Sequence, residues 1–302
     1  GGYDLYRTEL TTIRNREYRK LKAVAHLKAG EIGVWRQQRV ADARIDTTGQ
    51  VGSELSDWLD RAERGPLPNP VLARLRALSE YQGYADLVIT DLQGGILASL
   101  AGRASDDAPL RELVGAAVAA RTPVLGSFFL CRACGGVRID VAAPVFAKDG
   151  QVVGGLVLRT DPERYLYPLI REWPTDSRSA ETLLVARDGE QVVFLNPLRH
   201  RTDPPFAIRF TIDRIEVPAV QVWLGREGRF EGTDYRGVPV LAELHSIPDA
   251  PWRMVAKIDL AEITAQAVPL ARMLAGLVVL GVAAATASML LLASRIRGRW
   301  HE

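Results

Sequence analysis

This sequence predicts an α+β fold: a long N-terminal helix, two stacked antiparallel-sheet units, and one transmembrane helix. Three observations carry that expectation. Residues 4–46 hold no Pro and are rich in Glu, Lys, Arg, Leu and Ala, the residues of helix interiors. Two stretches, LVITDLQGGILASL (87–100) and TLLVARDGEQVVFL (182–195), share the pattern apolar run, Asp, Gly, apolar run, and each begins a set of strands. Residues 273–294 hold no charge. At about 1.5 Å per residue they make a helix of about 33 Å, enough to cross a hydrocarbon core.

The spine, residues 1–46, carries the apolar pairs Leu10/Ile13, Leu21/Val24 and Ile32/Trp35. Members of a pair are three apart, and the pairs recur every eleven residues, about three helical turns, so they line one face of a nearly straight helix. Glu17, Lys28 and Arg39 interrupt that stripe. A helix of roughly 65 Å is longer than one small domain and suits a spine shared by two. Residues 47–161 form the expected membrane-distal unit. It has short helices at 53–62 and 71–81, split by Pro66, Pro68 and Pro70, then a hairpin at 87–100. A helix at 107–120 and strands at 124–130, 137–146 and 152–159 complete it. A linker helix falls within 162–177. Residues 178–259 form a smaller, membrane-proximal unit, again five-stranded: a hairpin at 182–195, then strands at 228–233, 238–246 and 252–258. An exit helix at 260–272, the span at 273–294 and a cytoplasmic start at 295–302 follow.

Arg272 stands alone before the span, whereas Arg295, Arg297 and Arg299 crowd its far side. The positive-inside rule then puts 1–272 outside the cytoplasm. The chain begins Gly-Gly-Tyr without a signal peptide, so an upstream span is expected to export it, with an output module beyond Glu302. Gly281, Ala284, Ala285 and Ser288 make a small-residue stripe that suits a second helix and hence a homodimer; an Ala-rich span also produces such a stripe without a partner. A net charge of +2 with no basic stripe excludes nucleic acid as the partner.

Enzyme signatures are absent: there is no GxSxG, HExxH or phosphate loop. His26, His200, His245 and His301 are scattered without metal spacing, so neither a metal nor another cofactor is expected. Cys131 and Cys134 are the only cysteines. In an oxidising compartment the leading reading is a loop-closing disulfide, with free thiols and a redox or metal role left open.

Several stretches resemble the double Cache sensor domains of bacterial transmembrane receptors. VAAPVF at 141–146 with KDGQVVGG at 148–155 is similar to that family's "aPv…dGqvvGvl" hairpin, and DYRGVPVL at 234–241 with WRMVAKID at 252–259 to its paired closing strands. The resemblance implies two PAS-like units, a periplasmic ligand-sensing module in the bacterial inner membrane, and a parent chain of histidine kinase, diguanylate cyclase or chemotaxis type. FLNPLRHR at 194–201 resembles a membrane-proximal signature of one kinase- and cyclase-linked branch. Arg199, His200 and Arg201 there read either as a solvated basic turn or as an anion or linker contact. Amine- and amino-acid-binding members carry a Tyr, Arg, Trp, Tyr cluster before the sheet and an Asp at the end of the last distal strand. Trp58 and Tyr81 stand in that region with different spacing, and the acidic position falls on Thr160 or Asp161.

The candidate ligand site follows from strand alternation. Ile139 and Val141 share one face, while Arg138 and Asp140 share the other. That second face is either an ion-paired surface or the floor of a polar pocket. As a pocket it is flanked by Ser127, Phe129, Thr160 and Asp161, and it suits a small polar ligand such as an organic acid. Two other functions compete: a membrane-anchored redox protein using Cys131 and Cys134, and an interaction ectodomain without a small ligand.

Overall fold

The computed structural model describes residues 2–61, 65–102, 108–266 and 268–298. Helix α1 (Gly2–Thr48) is the spine, followed by α2 (Gln50–Leu59) and α3 (Asn69–Gln82). The first sheet comprises β1 (Asp86–Thr90), β2 (Ile96–Ser99), β3 (Val124–Cys131), β4 (Gly136–Phe146) and β5 (Val152–Thr160), with α4 (Ala108–Ala120) between β2 and β3. A 3-10 turn (Pro162–Arg164) and α5 (Leu166–Arg171) form the linker. The second sheet comprises β6 (Glu181–Asp188), β7 (Gln191–Phe194), β8 (Arg209–Thr211), β9 (Gly228–Thr233), β10 (Pro239–Ser246) and β11 (Arg253–Asp259), with α6 (Pro218–Trp223) before β9. Helices α7 (Leu260–Ala265) and α8 (Val268–Gly298) close the described chain.

Both sheets are antiparallel and share one strand order: β2-β1-β5-β4-β3 and β8-β7-β6-β11-β10-β9. The second sheet has six strands, not the expected five. The 195–217 segment adds β8 to the β7 edge, and α6 roofs one face. A three-residue strand and a six-residue helix leave too little periodicity to be read from sequence. The expected helix at 53–62 starts at Gln50 and ends at Leu59, and its expected end, 62, lies outside the described residues, as does 107. The expected exit helix at 260–272 is two helices, because α7 ends at Ala265 and α8 starts at Val268. Pro269 lacks the N–H that a continuous helix needs but is tolerated in the first turn of a new one.

The spine is buried by both sheets. Ile13, Leu21, Ile32 and Trp35 share a core with Leu184, Leu241, Met254 and Ile258 of the second sheet and with Phe128, Val137 and Ile139 of the first. Toward its C-terminal end, Ala43 joins Leu87, Ile89, Val141 and Leu156 of the first sheet and Leu55 and Trp58 of α2. The return of α2 against α1 depends on Gly52, where a Cβ would lie 1.9 Å from the Thr47 carbonyl oxygen. The two units meet at an aromatic joint. Phe128 of β3 stacks on Tyr167 of α5 with ring centroids 6.2 Å apart, and meets Trp252, just before β11, edge-on at 4.8 Å.

Two of the three charges that interrupt the spine's apolar stripe, Lys28 and Arg39, are latches, while Glu17 pairs with Lys20 and Arg16 of the same helix. Lys28 is buried, and its ammonium donates to the carbonyls of Leu169 (2.6 Å), Ile170 (3.2 Å) and Glu172 at the C-terminal end of α5. Those carbonyls have no partner within their own short helix, and the negative end of its dipole favours a cation. Burial pushes the Lys28 ammonium below its ordinary pKa. Arg39 donates to the Gln82 carbonyl at the end of α3 (3.1 Å) and lies over the Tyr84 ring. At the exit, the Glu262 carboxylate of α7 accepts from the Ser177 hydroxyl (2.8 Å) and from the backbone of Arg178 and Ser179, tying α7 to the segment before β6.

Helix α8 differs from every other element. Leu277, Val278, Val279, Leu280, Val282, Met289 and Leu290 are all more than half exposed. Successive residues such as 277–280 point around the whole helix, so its apolar surface has no preferred side. Among the described residues no helix is long and apolar enough to cross a membrane. The expected span, 273–294, includes Leu274 and 291–294, whose side chains lie outside the described residues.

Lys28→Ala would strand the α5 carbonyls and is expected to destabilise the chain by about 2–4 kcal/mol. Urea unfolding followed by tryptophan fluorescence checks this; a loss near zero would mean that water replaces the ammonium.

Candidate ligand-binding site

Strand alternation sorts the first sheet into two faces. Leu87, Ile89, Val141, Leu156 and Leu158 face the spine and α2. Val88, Ala142 and Val157 face α4, where they pack on Leu110, Val114 and Ala117. Two residues away on each strand, toward one end of the sheet, the α4 face turns polar. Asp86 of β1 and Asp140 of β4 are both register partners of Arg159 of β5. Three charged residues thus lie in one row across three central strands.

Arg159 and Asp140 form a forked pair. Nε lies 3.0 Å from Oδ1, Nη2 lies 2.7 Å from Oδ2, and both side chains are at most 3% exposed. Such a pair is held by geometry rather than by net Coulomb gain, because two charges have left water. The guanidinium also sits 5.2 Å from the Phe129 ring, and its Nη1 is 3.5 Å from Cys134 Sγ. Asp86 serves the sheet edge: it accepts from the Ser99 hydroxyl (2.6 Å) and the Ala101 N–H (2.9 Å).

Arg138, two residues before Asp140, extends the polar face to the strand end. Its Nη1 donates to the Val137 carbonyl (2.7 Å), its Nη2 to the Cys134 carbonyl (3.1 Å), and Asp161 lies 3.7 Å away. Its Nε is buried without a protein acceptor. Cys131 and Cys134 are disulfide-bonded beside it. The tight β3–β4 turn needs Gly135 (φ 66°) and Gly136 (φ 153°), which hold backbone angles that side chains disfavour.

Two cavities flank the Asp140–Arg159 pair. One of about 310 Å³ is lined by Asp86, Ala101, Cys134, Arg138 and Arg159. The other, about 400 Å³, lies under α4 and is lined by Glu112, Leu113, Ser127, Phe128, Phe129 and Asp140. The six sequence candidates therefore divide. Arg138, with Asp161 beside it, belongs to the first cavity; Ser127, Phe129 and Asp140 belong to the second. Thr160 belongs to neither. It pairs with Ile139, whose side chain is in the spine core, so alternation carries it to the opposite face from Arg159. Arg159 and Asp86 were missed. The signal for Arg159 was present, a single Arg closing an apolar strand, VVGGLVLRT. Of the two aromatics near the first unit's helices, Trp58 is buried in the core and Tyr81 is 91% exposed.

The second sheet repeats the charged row. Glu181 of β6 is the register partner of Lys257 of β11, as Asp86 is of Arg159. Lys257 Nζ lies 2.7 Å from Asp234 and 3.1 Å from Glu181. Arg236 bridges Asp234 (2.7 Å) and Asp259 (2.5 Å), and the Tyr235 hydroxyl donates to Glu181 (2.7 Å). Burial pushes the Asp234 carboxyl up, but hydrogen bonds from Arg236 and Lys257 outweigh it and hold the pKa below its usual value. The 194–201 signature packs against this network. Asn196 accepts from the Leu184 N–H (2.7 Å) and donates to the Thr182 carbonyl (3.2 Å). The Arg199 N–H donates to Glu181 (2.5 Å), and its Nη1 to the Ala180 carbonyl (2.7 Å). Arg199 thus contacts the start of β6 while its side chain remains exposed.

No protein-family model and no curated protein matches the sequence. Solved structures do match in fold. The sensory domain of the Campylobacter jejuni chemoreceptor Tlp3 (CcmL) is 12% identical, with 84% of this chain and 98% of that one covered and a TM-score of 0.62. The ligand-binding domain of the Pseudomonas aeruginosa PAO1 amino acid chemoreceptor PctC, in complex with GABA, is 16% identical, with 80% and 100% covered and a TM-score of 0.57. An extracellular ligand binding receptor from Desulfohalobium retbaense DSM5692 is 18% identical, with 78% of this chain covered and a TM-score of 0.52; the match spans 39% of that receptor's chain. This chain shares the fold of those sensory domains.

Removing one partner of the Asp140–Arg159 pair leaves a buried charge without its forked counter-ion. Asp140→Ala and Arg159→Ala are each expected to cost about 3–5 kcal/mol, and the double replacement Asp140→Leu/Arg159→Met less than the sum. Urea titration of all three variants checks this. Single losses below about 1 kcal/mol would show that water reaches the pair.

Proposed function

We propose that the chain is the extracytoplasmic ligand-sensing module of a transmembrane receptor, of the double Cache kind. In this reading a small carboxylate-bearing molecule is bound beside Arg138 in the first unit. The observation that carries it is Arg138 itself. The residue lines a cavity of about 310 Å³, a size that suits a small ligand, and its buried Nε lacks a protein acceptor. A carboxylate could take a hydrogen bond from that Nε, and Asp86 and Asp161 could accept from a hydroxyl or amine at the ligand's other end. The equivalent charges of the second unit bind one another, so that unit suits a relay better than a site.

The relay runs through packed side chains. Phe128 lines the neighbouring cavity and touches both Tyr167 of the linker and Trp252 of the second unit. From there β11 leads into α7, which Glu262 anchors, and on to α8. Residues 273–294 of α8 are the membrane span of the reading, supported by their charge-free sequence and by the apolar side chains that α8 exposes all round. The arginines at 295, 297 and 299 set its cytoplasmic end. The ligand acts by favouring one of two conformations of similar energy. Arrangement as a homodimer, coupling to a histidine kinase or diguanylate cyclase output, and location in a bacterial inner membrane complete the reading.

A thermal-shift screen of the purified chain against dicarboxylates, hydroxy acids and L-amino acids tests the binding. A true ligand at about 100 times its dissociation constant stabilises by about 2.7 kcal/mol. Arg138→Ala is expected to weaken that ligand by about 1.5–3 kcal/mol, while Arg199→Ala leaves it unchanged. Normal binding by Arg138→Ala together with its loss in Arg199→Ala would move the site to the second unit.

Topology is tested by thiol labelling in intact cells, with Asp213→Cys and Arg297→Cys in a background lacking Cys131 and Cys134. An impermeant reagent is expected to reach position 213, which is exposed in the structure, and to miss 297. The reverse pattern would invert the orientation.

A further inference from the structure

The fold brings together two of the chain's four histidines, which the sequence separates by more than two hundred residues. His26 stands on the exposed side of α1 and His245 on β10, with ring centroids 4.8 Å apart and the rings edge to face. Glu243 precedes His245 by two residues, so both project from the spine-facing side of one strand. One donor atom from each of the three side chains lies within 4.8 Å of the others.

We propose that His26, Glu243 and His245 form a binding site for a divalent transition-metal cation of the zinc type, stapling the spine helix to the second sheet. Two imidazoles and a carboxylate are a common zinc donor set; hard cations such as calcium prefer all-oxygen shells. Bonds of about 2.0–2.2 Å place tetrahedral donors about 3.3 Å apart, so the three groups need to close by about 1.5 Å. His26 is exposed on a helix and has the freedom to swing inward.

The charge at the site points the same way. Glu243 is 2% exposed, and its hydrogen bond at Oε2 comes from the neutral Tyr18 hydroxyl, 2.8 Å away. Arg229 is its register partner on β9, yet that guanidinium is directed to Asn15 (3.0 Å) and Glu231 (2.8 Å). A buried carboxylate held by a neutral donor gains from a cation in contact with it. The Tyr18 hydroxyl would also orient the carboxylate, the outer-shell role that hydrogen-bonding partners take around metals. A cavity of about 310 Å³ opens between the two histidines and the β10–β11 turn. Gly30 and Gly33 border it without side chains, leaving room for water beside the two histidines.

The site is independent of the ligand proposed for the first unit. Zinc binding by the purified 302-residue chain, read by competition with a chromogenic chelator, tests it. One zinc ion per chain is expected. His26→Ala and His245→Ala should each weaken it by more than the roughly 10–100-fold that follows loss of an outer-shell partner. His200→Ala should leave it intact. Since His26 is exposed, His26→Ala is not expected to perturb folding, and its circular dichroism serves as the control. Two results would overturn the site: zinc binding no tighter in the parent chain than in His26→Ala/His245→Ala, or zinc binding lost in His200→Ala.

Discussion

A single helix supplies the inner wall of both sheets, and the rest of the structure depends on that sharing. Each sheet buries its helix-facing side against α1, so neither core is complete without it. Alanines at 25, 29 and 43, each at most 4% exposed, let the strands come close. The same helix fixes the relative placement of the units, since Ile13 to Trp35 share one core with residues of both sheets. Lys28 extends the constraint to the linker by holding the end of α5 through three carbonyls.

Within that frame the two units are variations on one plan. Each has an acid on its first strand opposite a base on its last, Asp86 with Arg159 and Glu181 with Lys257. Each has an Asp two residues after that base, Asp161 and Asp259, with an arginine near it, Arg138 and Arg236. The difference is closure. In the second unit Arg236 bridges two carboxylates at 2.7 and 2.5 Å, whereas in the first Arg138 stands 3.7 Å from Asp161 and borders a cavity. A charged network that satisfies itself rigidifies; one that leaves a donor unused has capacity for a further partner.

In the proposed sensor the aromatic joint is the route outward from such a partner. Phe128 belongs to the wall of the neighbouring cavity under α4 and to the interface between units at once, and close-packed rings move together rather than independently. Tyr167 of α5 is further held by its hydroxyl on the Leu195 carbonyl (2.5 Å), just past β7, so Phe128 packs on a linker residue that is tied to the second unit.

The sequence by itself determined the long helix, the two strand sets apart from β8, the linker and the charge-free segment near the C-terminal end. Each of those rests on periodicity or composition within one stretch, and local patterns survive without knowledge of partners. Alternation likewise separated Arg138 and Asp140 from Ile139 and Val141. Only the tertiary structure decided what those charges meet. Asp140 is paired to Arg159, nineteen positions away, because the register of β4 against β5 sets them opposite, and the same register turns Thr160 to the far face. Lys28 and Arg39 read locally as breaks in an apolar stripe, yet they latch distant helix ends. His26 and His245 show no spacing in sequence but meet where α1 crosses β10. Pairings of this kind depend on strand register and helix placement, which arise when the whole core closes and are encoded in no single stretch of chain.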